Sequence, residues 1–193
     1  MSKFETTLKK YLDIFKDQEM YFVNDSRNLE LFSKTPLNAT QDDVRTKVSA
    51  LNDSDVRALS LEEDMINHIV KLNIDDRIRR NDLKVVQEIA QISVQQKSHQ
   101  LLHFASVYCN YHKPDVFPIY SEQYHDFYKK YIAEYKLPLD PGKLNTYAVF
   151  SQALNDLTQR LGLTGKLNYL QLRKFAWLYA ETILHESRSN QAK

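Results

Sequence analysis

Glycine is almost missing from this chain: its 193 residues include only Gly142, Gly162 and Gly165, so the first 141 positions have none. Average usage of about 7% would give roughly 13. Glycine supplies the positive-φ positions of phosphate-binding loops, dinucleotide fingerprints and tight hairpins. We therefore exclude nucleotide sites of those kinds and expect an all-α fold.

The low cysteine content, the lack of long apolar runs and the small net charge exclude further classes of protein. Cys109 is the single cysteine, so the chain has no intramolecular disulfide, which favours a reducing compartment. No apolar run approaches the ~18–20 residues of a membrane span, and the N-terminal MSKFETTLKK has no apolar signal core. The 26 Lys and Arg residues against 25 Asp and Glu give a net charge of +1, so no overall field favours nucleic acid or acidic lipid. We expect a cytoplasmic protein with no membrane partner.

Apolar residues recur at helical spacing along most of the chain. A stripe over 3–20 predicts a first helix, and the stripe from Tyr147 to Leu161 ends at Gly162, where a C-cap glycine belongs. The predicted N-caps of intervening and final helices are Thr40, Ser60, Asn81, Ser98, Ser121 and Asn168. These signals predict a compact bundle of eight or nine helices in one domain, 1–186, with a disordered polar tail, 187–193.

Histidines and the cysteine form the most obvious candidate metal site. His99 and His103 lie four apart on a predicted helix, and Cys109 and His112 follow closely. Zinc needs three or four converging ligands, and the acidic residue of an HExxH motif is missing between the two histidines. Cys109 comes late in its helix, where the helix dipole does not lower a thiol pKa. We expect no metal, no cofactor and a buried, inert thiol.

Short basic clusters are the candidate nucleic-acid contacts. They contain Arg77, Arg79, Arg80, Lys113, Lys129 and Lys130. On one shared face, these side chains would follow the backbone of DNA or RNA; scattered, they are ordinary solvated helix faces. The tyrosine-rich stretch 124–135 supports a different hypothesis, an interaction or regulatory module that binds a protein partner or a second copy of itself.

The block HFASVYCNYHKPDVFPIYS at 103–121 resembles a family of uncharacterised bacterial and mobile-element helical proteins. The likeness extends through KVSALN at 47–52, HIVKLNIDDRIRRNDLKVV at 68–86 and LNYLQLRKFAWLY at 167–179. Such proteins are distantly similar to helix-hairpin-helix DNA glycosylases, which excise a base from an extruded nucleotide. The resemblance implies a glycosylase-like helical fold.

Three positions depart from the pattern of that family. Val107 stands at the position of the family lysine, Ser121 at that of the aspartate, and Arg173 where the family tends to have an acid. Valine is no amine nucleophile and serine no carboxylate, so we expect no intact excision site. The resemblance therefore implies a glycosylase-like protein that binds nucleic acid or a nucleic-acid-processing partner.

A third hypothesis is an enzyme with an unrelated pocket. Tyr108, His112, Tyr120 and Ser121 are the residues that would line it. This hypothesis depends on residue types alone, and it requires these four side chains to share an accessible environment. Ser121 has a simpler role as N-cap of the next helix, which an aspartate would fill equally well.

Overall fold

The computed structural model describes residues 23–174, together with the helical residues Thr6, Lys10 and Asp13. Most of the first predicted helix (3–20), the end of the last one and the tail 187–193 lie outside the described residues. The helices are α1 (Val23–Lys34), α2 (Gln41–Leu51), α3 (Ser54–Ala58), α4 (Glu62–Leu72), α5 (Asp75–Arg79), α6 (Lys84–Ala90), α7 (Leu102–His112), α8 (His125–Glu134) and α9 (Tyr147–Arg160). Residues 169–174 form α10, and 3-10 turns occupy Glu122–Tyr124 and Pro141–Lys143.

The prediction of a helical, compact fold is confirmed, and α7 runs through its middle. This helix packs against α6 and also contacts α1 and α2, while α2 lies along α4. Leu102 and every residue from Phe104 to Tyr111 are buried. Cys109 is fully buried there, as expected for an inert thiol, and burial raises the pKa of its sulfur.

A β-hairpin interrupts the helices where the sequence predicted a helix that starts at Ser98. β1 (Gln91–Val94) pairs antiparallel with β2 (Lys97–Gln100), and Gln91 lies opposite Gln100. Ser98 is therefore a strand residue, and its prediction as a helix N-cap is wrong. The turn residues Gln95 and Gln96 have φ values of 49° and 63°, the two positive angles of a type I′ turn.

Other left-handed positions also lack glycine. Asn52 and Asn73 end α2 and α4 with φ of 49° and 48°. Asparagine tolerates this region better than most residues because its short polar side chain bonds locally. Low glycine content therefore does not exclude tight turns here. Gly162 does take its predicted place after α9, with φ of 64°.

One predicted N-cap in this part of the chain is confirmed, and two others are not found. Thr40 caps α2 in a reciprocal capping box with Asp43, as predicted. Ser60 lies in a turn with φ of 55°, and α4 starts at Glu62 without a side-chain cap. At α6 the carboxylate of Asp82, rather than the predicted Asn81, accepts from the Lys84 amide.

We expect the Gln95→Asn, Gln96→Gly double variant to be more stable by about 1 kcal/mol, because these residues adopt positive φ at less cost. Urea unfolding measures the change. The matched control is Gln152→Gly on the exposed side of α9. Its free energy of unfolding should fall by about the same amount, since glycine weakens a helix interior. A double variant no more stable than the wild type would contradict the turn assignment.

Candidate functional site

The four residues of the predicted pocket fall into two environments. Tyr108 and His112 contact a buried polar cluster centred on Asn38. Tyr120 and Ser121 line a cleft beside the hairpin, at the other end of α7. The structure therefore provides two candidate sites, which differ in their access to water.

Asn38 is the centre of the buried cluster, with 1% of its surface exposed. Its Oδ1 accepts from the Tyr108 hydroxyl at 2.5 Å, from Lys47 Nζ at 2.7 Å and from His112 Nε2 at 3.3 Å. Its Nδ2 donates to Asp75 Oδ1 at 2.7 Å, and its backbone N–H donates to both oxygens of the same carboxylate at 3.1 Å. One amide thus connects the α1–α2 loop to α2, α5 and α7.

Lys47 is the charged member of this cluster and is 0% exposed. Its Nζ also donates to the carbonyl oxygens of Thr35 at 3.0 Å and Leu37 at 2.6 Å. The ammonium group lies 5.7 Å from the centroid of the Phe32 ring, which adds a cation–π contact. Burial lowers the pKa of Lys47 to about 8, and the charge of Asp75 opposes that shift.

The two predicted pocket residues in the cluster are held in their neutral forms. Burial raises the pKa of Tyr108, and burial together with the charge of Lys47 lowers the pKa of His112 to about 3. The His112 ring also packs edge-on to Phe32, with centroids 4.9 Å apart. A closed, hydrogen-bonded cluster of this kind stabilises the fold; it offers no room for a substrate at Tyr108.

The second site is an open cleft of about 780 Å³ between the base of the hairpin and the starts of three later elements. Its wall includes Gln87, Gln91, Gln100, His103, Tyr120, Ser121, Glu122, Gln123, Asn145, Thr146 and Arg173, with Asp55 also on the wall. Amides and hydroxyls dominate this lining. We call it the hairpin cleft.

Three helix N-termini open onto the hairpin cleft. The cap residues are Leu101 for α7, Ser121 for the 3-10 turn before α8, and Thr146 for α9. None of the three makes a side-chain capping hydrogen bond. Ser121 therefore occupies the predicted cap position without the predicted capping bond. First-turn N–H groups at such ends are donors that a ligand can use, although at α9 the Tyr147 N–H donates to Gln87 Oε1 at 3.5 Å.

Charge in the hairpin cleft is mixed. Within the described part of the chain, Arg173 forms no ion pair with a carboxylate, while Asp55 and Glu122 contribute negative charge. The side-chain amides of Gln91, Gln100, Gln123 and Asn145 make no hydrogen bond to any described residue. The cleft thus presents unused amide donors and acceptors, with one cation.

His103 is a cleft residue that the sequence analysis misassigned. It was paired with His99 on a predicted helix, but His99 lies on β2 opposite Ile92, whereas His103 lies in the first turn of α7. Its Nδ1 bonds the carbonyl oxygen of Tyr120 at 2.8 Å. Among the residues described, no group of three or more His, Cys, Asp or Glu side chains is placed to hold a metal ion.

The predicted nucleic-acid contacts bond to different partners within the protein. Arg77 forms ion pairs with Glu88 and Asp82, and Arg79 forms one with Asp76. Lys113 Nζ donates to the carbonyl oxygen of Arg79 at 2.8 Å.

The remaining predicted contacts follow the same pattern. Arg80 Nε bonds the carbonyl oxygen of Asp76, and on α8 Lys129 pairs with Asp126 beside exposed Lys130. In the described segments, no hydrogen bond or ion pair joins the α8 lysines to the group around Arg79. A single basic face for all six stays a prediction.

Residues 7–116 match the HI_0787 N-terminal domain family. An uncharacterized protein of Haemophilus influenzae is 26% identical over 129 residues, which is 63% of this chain. The match spans 58% of that relative's length, less than two thirds of it. No solved structure matches the chain at a significant level.

The segment 7–116 contains the whole Asn38 cluster, the hairpin and α7. The remaining walls of the hairpin cleft, from Tyr120 onward, come from the chain after the matched domain. The cleft therefore lies where the matched domain meets the C-terminal part of the chain. None of the helices described has the length and apolar character needed for a membrane span.

Lys47 should make stability rise with pH in a defined window. Its folded pKa of about 8 lies below the ordinary value of 10.5, so the unfolded chain binds more protons between those values. Its contribution is present above pH 10.5 and is lost as pH falls through 8. We expect the unfolding free energy to gain on the order of 1 kcal/mol per pH unit within this window, relative to Lys47→Met. Parallel urea-unfolding profiles for the two proteins would contradict this.

His112 should make the fold sensitive to acid. Its folded pKa of about 3 lies below the ordinary 6.5, so the unfolded chain takes up a proton first as pH falls. The stabilising contribution is complete above pH 6.5 and is lost toward pH 3. In His112→Gln, which keeps an amide donor for Asn38, thermal unfolding should depend less on pH across that range. An unchanged acid slope in the variant would show that His112 is not the group responsible.

Proposed function

The chain belongs to the HI_0787 N-terminal domain family, and we propose that it binds single-stranded nucleic acid in the hairpin cleft without excising a base. A cleft between a domain and its neighbouring segment is a common position for a ligand site. The volume of about 780 Å³ lies within the range of small-ligand sites and leaves room for about one nucleotide.

The observation that carries this proposal is that the N-termini of α7, of α9 and of the 3-10 turn before α8 meet at one cleft. Their cap residues, Leu101, Thr146 and Ser121, make no side-chain capping bond, and only the α9 end has a side-chain acceptor from elsewhere, Gln87 Oε1. Helix N-termini bind phosphate because these donors and the positive end of the helix dipole point at the anion. The guanidinium of Arg173 supplies a full positive charge in the same cleft.

The amide lining supports a base as the second part of the ligand. Gln91 and Gln100 form a facing pair at the base of the hairpin, and Gln123 and Asn145 line the cleft beyond them. A carboxamide offers one donor and one acceptor group, which matches the exposed edge of an unpaired base. A base within a duplex would keep that edge paired, so the lining favours single strands.

Charge supports a local contact rather than a long backbone footprint. The net charge of +1 gives little general attraction to a duplex, and Asp55 and Glu122 reduce the positive potential of the cleft. In this proposal Arg173 makes the phosphate contact, and the predicted contacts Arg79, Arg80, Lys113 and Lys130 lie outside it, since none of them lines the cleft. Arg77, Arg79 and Lys129 are held in ion pairs.

The same proposal places the protein outside base excision. Val107 is an apolar residue of α7, 9% exposed, and Ser121 is the cleft residue at the position of the glycosylase-like aspartate. Neither supplies an amine nucleophile or a carboxylate. The protein that we propose is glycosylase-like in its helical fold, needs no cofactor and acts in the cytoplasm.

The competing hypothesis, a protein-interaction module, needs an exposed apolar face. Among the described residues, the large apolar side chains with high exposure are Leu37 at 58% and Leu59 at 46%. They lie in the α1–α2 loop and at the end of α3. Single exposed leucines are ordinary on protein surfaces, so the described geometry favours the polar cleft.

Fluorescence polarisation with a labelled strand of about a dozen nucleotides tests the proposal directly. We expect the single strand to bind more tightly than the matching duplex. The logarithm of the association constant should fall with the logarithm of salt concentration at a slope of about −1, since few phosphates are engaged. Failure to bind either form at about 20 mM salt would overturn the proposal, and a co-purifying protein would then favour the interaction module.

Arg173→Gln should weaken binding of the single strand by about 3- to 10-fold and make the salt slope less negative by about 0.7, the contribution of one phosphate. Equilibrium titration at several salt concentrations measures both values. The matched control is Lys34→Gln on α1, which removes an exposed cation outside the hairpin cleft. Equal losses in both variants would point to general charge attraction and against the cleft.

A further inference from the structure

His103 is the exception on a buried helix. From Leu102 to Tyr111, every residue of α7 is buried except His103, which is half-buried and faces the hairpin cleft. A helix that is enclosed almost entirely in the core thus exposes one ring to the space where the ligand is proposed to bind.

A closed cycle of three hydrogen bonds holds the His103 ring in place. The Ser106 hydroxyl donates to the carbonyl oxygen of His103 at 2.8 Å and accepts from the backbone N–H of Tyr120 at 2.9 Å. The carbonyl oxygen of Tyr120 accepts from His103 Nδ1 at 2.8 Å. Rotation of the imidazole would break the cycle, so the direction of the ring is fixed.

The cycle also settles which ring nitrogen carries the proton. A carbonyl oxygen only accepts, so Nδ1 must be the N–H donor toward Tyr120. In the neutral imidazole, Nε2 then carries a lone pair and is an acceptor. The amides of Gln91 and Gln100 can turn over to present either group, whereas His103 presents an acceptor in a fixed direction.

We propose that His103 Nε2 is a specificity-determining acceptor in the hairpin cleft, which selects a nucleotide that offers an N–H or O–H donor. The inference rests on the proposed function, because it deepens the ligand chemistry of the same cleft. Phosphate diesters have no such donor, so His103 would distinguish a base or a ribose hydroxyl from the bare backbone. An unpaired base supplies ring N–H or amino groups, and ribose supplies its 2′-hydroxyl.

The experiment compares His103→Asn with the wild type at about pH 8 in the same buffer. Asparagine can place its amide nitrogen near the position of Nδ1 and keep the bond to Tyr120, but it leaves nothing at Nε2. Three labelled strands are used: a deoxyoligonucleotide, the same strand with abasic sites, and an abasic ribose strand. Polarisation gives each dissociation constant.

We expect the wild type to bind the base-bearing strand more tightly than the abasic deoxy strand. His103→Asn should bind the base-bearing strand about 3- to 10-fold more weakly than the wild type, with unchanged affinity for the abasic deoxy strand. A loss on the abasic ribose strand, with the preference for the base unchanged, would identify the 2′-hydroxyl as the donor and would still support the inference. Unchanged affinities of His103→Asn for both the base-bearing strand and the abasic ribose strand would overturn it.

Two further measurements separate the possible failures. Wild-type protein that binds none of the strands would refute the proposed function, independently of any His103 variant. If His103→Asn does not fold, His103→Gln is the second variant, since its longer side chain reaches the position of Nε2 with an acceptor oxygen. It should keep more of the base preference than His103→Ala, and equal losses in the two would refute the role of Nε2.

Discussion

The carboxamide of Asn38 bonds through both its oxygen and its nitrogen, and the arrangement of the core depends on it. Its oxygen accepts from a tyrosine, a lysine and a histidine, and its nitrogen donates to Asp75. A buried amide that lacked any one of these partners would cost free energy, so the elements that supply them must stay in register. The C-terminal half of α7 is fixed in this way through Tyr108 and His112. The same helix therefore presents its first turn, with His103, to the hairpin cleft in a defined position.

Helical periodicity was sufficient to predict most of the fold. The stripe from Tyr147 to Leu161 and the Thr40 cap are found where the spacing placed them. The hairpin was not predicted because its turn residues, Gln95 and Gln96, are not the usual choices for positive φ. Its four-residue strands are also too short to show a clear two-residue period. Contacts of β1 with α4 and α6 and the burial of Ile92 outweigh local preference there.

The candidate site was predicted only in part. Tyr120 and Ser121 line the cleft, whereas Tyr108 belongs to a closed cluster, because the chain after α7 returns to the first turn of that helix, where Tyr120 bonds His103. Lys47 carries no signal in the sequence, because its partners are two backbone carbonyls and the Asn38 amide, which no local pattern places beside it. His103 had a visible signal, since it opens the most specific sequence block. Its environment depends on the hairpin, which the sequence analysis missed.

The burial of Cys109 controls when its thiol can react. It is the only thiol in the chain, it is fully buried in α7, and the core raises its pKa, so a reagent meets neither an accessible nor an ionised sulfur. Alkylation must wait until α7 separates from its neighbours. The rate at which a thiol reagent labels the wild-type protein therefore measures the opening of its central helix, and no engineered cysteine is required.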